Sequence, residues 1–168
     1  MRKRIGNNSG FTLLEVILAI TIASIMTGAF LQVIMVGFAS SQRYSNWLMA
    51  EAQLTRSLRE ICYGYSGHTG VAGAIAVDVV HPTELHITYN DDGDEIVYSL
   101  RDSSLVRYFI IDGINGDHHV LLSDVTVLSF THETQVGGDA IRVHITVNSP
   151  SLKRKQLDAE QTVLVRNS

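Results

Sequence analysis

The chain is poor in the residues that staple or break a fold: among its 168 residues there is one cysteine, and there are two prolines. With Cys62 alone no intramolecular disulfide forms, and the Cys-x-x-Cys spacing of zinc and redox sites is absent. Cysteine usage thus leaves the compartment open. Neither proline precedes residue 64, so the residue that most strongly breaks a helix is missing from that stretch. Bases are also scarce, 13 Lys and Arg against 17 Asp and Glu, for a net charge of -4. Three of the bases, Arg2, Lys3 and Arg4, stand together at the start, and those beyond them are heavily outnumbered by acids. Phosphate binding needs clustered Lys and Arg. Further along only Lys153, Arg154 and Lys155 form a run, which reads as a solvated loop. Composition therefore gives no support for a nucleic-acid partner. The length suits one domain of ordinary size plus an extension.

What is present is a long apolar run. From Phe11 to Ala39 the one ionisable side chain is Glu15, and Gln32 is the bulkiest other polar group. About 20 such residues span a bilayer as a helix. Arg2, Lys3 and Arg4 hold the preceding end in the cytoplasm under the positive-inside rule, which sends the rest of the chain outward. A secretory signal peptide cut after Ala39 is the rival reading, since Gly37-Phe38-Ala39 is a small-x-small site. Such peptides have an apolar region of about 7 to 15 residues, which this run far exceeds, and it carries an acid besides. That acid raises its own question, because a lone carboxylate at the centre of a membrane helix costs roughly 2.5 kcal/mol or more. Glu15 therefore asks for a partner, and its position allows that it lies near the membrane surface and reaches lipid headgroups.

A short basic leader ending in Gly10, then Phe11-Thr12-Leu13-Leu14-Glu15 and a long apolar helix, resembles the type IV pilin and pseudopilin family. The resemblance implies that a prepilin peptidase cuts between Gly10 and Phe11 on the cytoplasmic side and methylates the new amino terminus, giving N-methylphenylalanine at Phe11. It also implies that Glu15 pairs with the Phe11 amine of a neighbouring subunit as helices stack into a filament. Opposite charges in a poor dielectric attract strongly and either one alone is costly, so such a pair selects a register.

Beyond the run, Ser40 to Tyr63 has neither glycine nor proline and turns amphipathic. Trp47, Leu54, Leu58, Ile61 and Cys62 recur at helical spacing, a packing seam, with Arg43, Glu51, Arg56, Arg59 and Glu60 mostly around the other faces. One helix from Phe11 to about Tyr63 would be roughly 80 Å long. Gly64, Gly67, Gly70 and Gly73 end it and read as a flexible joint; no phosphate-cradling Gly-x-Gly-x-x-Gly helix or Lys-Ser/Thr follows. The apolar period then changes to alternation. Expected strands are Ala74 to Val80, Glu84 to Tyr89, Glu95 to Arg101, Ser104 to Ile111, Val120 to Thr131, Ala140 to Asn148 and Gln161 to Arg166. Turns are expected at Asn90 to Asp94 and around Ser103.

The fold class expected is α+β: a long amino-terminal helix, its first half transmembrane, packed on an antiparallel β-rich pilin-like head. The divisions are 1–10, a cleaved leader; 11–39, transmembrane and filament-core helix; 40–63, the amphipathic half; and 64–168, the extracytoplasmic head. The succession of short strands resembles the head of a minor pseudopilin, most like the J-type subunit of a type II secretion system, and it also fits a minor type IV pilin or a competence pseudopilin. The implied role is structural, at or near the tip of a pseudopilus anchored in the bacterial inner membrane. The implied partners are other minor and major pseudopilins, the prepilin peptidase, the inner-membrane assembly platform and lipid.

No cofactor is expected. Some pseudopilin heads bind calcium, and Asp91, Asp92, Asp94 and Glu95 make a calcium candidate, although their spacing is not that of an EF-hand and a solvated turn is the default. His118-His119 lies beside Asp117, with His86, His132 and His144 elsewhere. Adjacent histidines on a strand point to opposite faces, which disfavours one shared metal. A membrane-anchored enzyme is the remaining class, but no Gly-x-Ser-x-Gly elbow occurs and no Ser/His/Asp set is marked out by sequence.

Overall fold

A computed structural model describes residues 12–65, 68–135, 138–148 and 156–165. Helix α1 runs from Leu13 to Tyr63, 51 residues, as the lack of proline allows. It is stopped at Gly64, whose φ of +88° is the left-handed conformation that ends helices. Two compact units divide within α1, between Arg43 and Tyr44.

In the first unit the apolar side chains are exposed on every side, from Leu13 and Leu14 to Val36 and Phe38. Among the described residues α1 is the helix long and apolar enough to cross a membrane, and its most apolar window has no buried residue. Its small polar residues are satisfied locally: Thr21, Ser24 and Thr27 each donate a 2.8 Å hydrogen bond to the carbonyl four residues back. Hydrocarbon tolerates polar groups on those terms.

In the second unit, Leu54, Ser57, Leu58 and Ile61 recur at the spacing of one helix face and are buried, with Glu60 and Cys62 beside them. Trp47 departs from the expected seam, being half-exposed. In the glycine-rich stretch the described residues form short regular elements. Strands β1 (Gly64–Tyr65) and β2 (His68–Thr69) pair antiparallel, and a single 3-10 turn, Val71–Gly73, follows. Gly70 is buried there, and a Cβ on it would stand 2.4 Å from the Gly64 nitrogen and 2.6 Å from the Ile61 carbonyl oxygen. The glycine at this position lets the chain cross the end of α1.

Two antiparallel sheets complete the unit. The first contains β3 (Ala76–His81), β4 (Glu84–Thr88), β5 (Glu95–Arg101) and β6 (Ser104–Ile111) in that order, with β7 (Ile114–Asn115) and β8 (His119–Leu122) both paired to β6. The second has β9 (Val125–Gln135), β10 (Gly138–Asn148) and β11 (Gln156–Leu164), with β10 central. The α+β class is therefore as the sequence predicts. Strands β5 and β6 have the expected bounds and are joined at Asp102 and Ser103, both at positive φ, the conformation of a tight hairpin turn. The single strand expected from Val120 to Thr131 is two, because Asp124 at φ +59° breaks it and sends β9 into the other sheet. Strand β11 begins at Gln156, five positions before the expected start, its alternation there being weakly apolar.

Alternation decides the core. Leu85 and Ile87 on β4, and Ile141, Val143, Ile145 and Val147 on β10, are buried with Leu58 and Ile61 of α1. Each such side chain contributes about 1.5–3 kcal/mol. Burial pushes the Cys62 thiol up to about 12, so it stays protonated and behaves as a small apolar residue.

Candidate functional site

The start of α1 is the first place where sequence chemistry and geometry meet. Thr12 precedes the first helical residue, and its Oγ1 accepts a hydrogen bond from the Glu15 backbone N–H at 3.3 Å. The Glu15 carboxylate in turn accepts from the Thr12 backbone N–H at 3.1 Å and from Thr12 Oγ1 at 3.3 Å. This reciprocal arrangement is a capping box, which satisfies two donors that a helix start otherwise leaves unpaired. A negative charge in the first turn also suits the helix dipole. The Thr-x-x-Glu spacing carried this signal in the sequence, and the apolar run obscured it. Glu15 itself is exposed. Gly10 and Phe11, the expected cleavage and methylation positions, lie outside the described residues.

The acidic turn does not gather its four acids. Asp94 N–H donates to Asn90 Oδ1 at 2.8 Å, and the Asp94 carboxylate accepts from Asn90 Nδ2 at 2.9 Å and from the Asp112 backbone N–H at 3.3 Å. Gly93 takes φ +85°, as a turn requires. Asp91 and Asp92 are exposed, and Glu95 turns away to His86 at 2.7 Å. Among the described residues no three His, Cys, Asp or Glu side chains stand together as a metal site.

The histidines are likewise dispersed. His118 stacks edge-on with Tyr108 and lies 3.2 Å from Arg101 Nη1, His119 is on β8 opposite Arg107, and His132 is 3.6 Å from Asp139. His144 faces Ser129 and Glu160 in register on the neighbouring strands. His86 is different, held between Glu95 on Nδ1 and Glu84 on Nε2 at 2.9 Å, with Asp78 opposite it on β3. Burial opposes its charged form, but the hydrogen bonds and charges of Glu84 and Glu95 outweigh this and raise its pKa above the ordinary value. A raised pKa in the folded state means that the contribution of His86 to stability is complete below about pH 6.5 and is lost as the pH climbs through the folded-state value. The melting temperature of the chain should therefore fall from pH 6 to pH 8 relative to His86→Asn. Parallel melting curves for the two proteins over that range would contradict the prediction.

One buried charge pair was not visible in the sequence pattern. Glu60, expected on a solvent face, is buried, and Arg107 Nη1 of β6 donates to its Oε1. Arg107 also lies over the Phe109 ring, 5.3 Å from the centroid. Burial, and then the nearby charge of Glu60, pushes the phenol of Tyr98 above its usual range, so it stays neutral. This cluster joins the end of α1 to the middle of the first sheet.

A family model described as the prokaryotic N-terminal methylation motif matches residues 5–31. No curated protein and no solved structure matches the chain. The matched segment begins just after Arg2, Lys3 and Arg4 and takes in Gly10, Phe11, the capping box and much of the exposed apolar helix. That motif, placed on a long apolar helix that leads into antiparallel sheets, supports a type IV pilin-like protein.

Proposed function

We propose that the chain is a structural minor pseudopilin that assembles at or near the tip of a type II secretion pseudopilus, where it promotes filament initiation and protein secretion. The methylation motif at residues 5–31 is the observation that carries this reading. In it, prepilin peptidase cleaves after Gly10 and methylates Phe11. The mature helix then waits in the inner membrane with its amino terminus cytoplasmic and its head extracytoplasmic, and Glu15 meets the Phe11 amine of a neighbour when the assembly platform draws the helix into a filament. The apolar side chains of Leu13 to Phe38, exposed all round, suit first lipid and then other helices.

No catalytic group or calcium ion enters this reading. The test is co-purification of the tagged full chain, extracted in mild detergent, with the other minor and major subunits encoded alongside it. Stoichiometric recovery of other minor subunits is expected. Recovery of the chain alone, or only with major subunits in long arrays, would contradict a tip role.

A further inference from the structure

Trp47 is the one tryptophan in the chain, and it stands outside the seam that buries Leu54, Leu58 and Ile61. It stacks instead on Tyr44, with ring centroids 6.2 Å apart and planes inclined by 23°. Tyr44 is exposed, as is the neighbouring Arg43. We propose that Tyr44 and Trp47 form an aromatic anchor in the outer headgroup layer of the bilayer that α1 crosses, a proposal that rests on the membrane-spanning reading above.

Dimensions and chemistry both favour lipid as the occupant. Val16 to Ala39 rises about 36 Å as a helix, and at a common tilt of about 20° it covers about 34 Å, close to a hydrocarbon core of about 30 Å. Ser40, Ser41, Gln42 and Arg43 then form a polar turn, and Tyr44 is the next residue in sequence. Helical side chains lean toward the amino terminus, here toward the bilayer, so the Trp47 ring lies back over the turn of Tyr44, in keeping with the observed stack. Indole and phenol each join an apolar body to a group that needs a hydrogen-bond partner, and both needs are met among headgroups. Arg43 can extend its guanidinium to lipid phosphate from the same turn. The alternative occupant is a neighbouring protein helix, but the continuity of the pair with the apolar run favours lipid while the chain is in the membrane.

A single indole makes the depth directly measurable. The full-length chain is reconstituted into phosphatidylcholine and phosphatidylglycerol vesicles, floated on a gradient, and its emission quenched by lipids spin-labelled either near the headgroup or at the chain terminus, and by aqueous acrylamide. The expected result is co-flotation, blue-shifted emission and at least about twofold stronger quenching by the headgroup-proximal label, lost in Trp47→Phe. Co-flotation with water-like emission and full acrylamide quenching would overturn the anchor while leaving the membrane reading intact, and would point to a protein occupant. Strongest quenching from the chain-terminal label would also overturn it, because the indole would then lie in hydrocarbon. Failure to float would overturn the membrane reading and the anchor together.

Discussion

Glu15→Leu should leave the chain in the membrane and remove it from filaments. Leucine at this position only lengthens the apolar run, so insertion is retained, and incorporation measured against the unsubstituted chain should fall by more than about tenfold, an effect above about 1.4 kcal/mol. The capping box makes a second substitution decisive. Glutamine serves at the third position of a capping box as glutamate does, whereas it cannot neutralise a neighbour's amine. If Glu15 acts through charge pairing, Glu15→Gln fails as badly as leucine, since losing one member of a desolvated pair costs about 3–5 kcal/mol. If it acts only by capping its own helix, worth about 1 kcal/mol, glutamine restores incorporation. Quantitative cross-linking of filaments from cells expressing each variant separates the two roles. Recovery with glutamine would remove the docking role and leave the Thr12 contact as the whole explanation of the acid.

The second large effect belongs to Glu60 and Arg107. Glu60→Leu strands a guanidinium that is already largely buried, with its Nε finding no acceptor among the described residues. The expected loss is about 3–5 kcal/mol, a fall in melting temperature of roughly 10 °C or more. The double substitution Glu60→Leu with Arg107→Met should recover most of that loss, because an apolar pair of similar volume avoids desolvating two charges. A double variant as unstable as the single one would show that the cost comes from packing at this position and not from the stranded charge.

The two substitutions also mark what could be read from the chain before folding. A capping box is local, so Thr12 and Glu15 were available to pattern reasoning, as were the boundaries of β5 and β6, short runs rich in β-branched and aromatic residues flanked by turn-forming residues. Glu60 was not. Its helical position suggests a solvated face, and its partner arrives 47 residues later in the middle of a strand. The break at Asp124 was hidden for a similar reason: Val120 to Thr131 is apolar enough for one strand, and only the need to fill two separate sheets divides it. In the glycine-rich stretch, composition does not show that Gly70 is required by backbone passing within 2.6 Å of where a Cβ would be. Trp47 fits the helical period of the seam and still lies outside it, because the seam begins nearer the sheets, at Leu54.

The central claim is that the apolar helix is kept and its amino terminus is newly made at Phe11. The intact mass of the mature protein, with its first residue identified by fragmentation, tests this most directly. The expected mature chain starts at Phe11 and carries one added methyl group on its amine. A mature chain that retains Met1, or one that starts at Ser40 and has lost the helix, would contradict it.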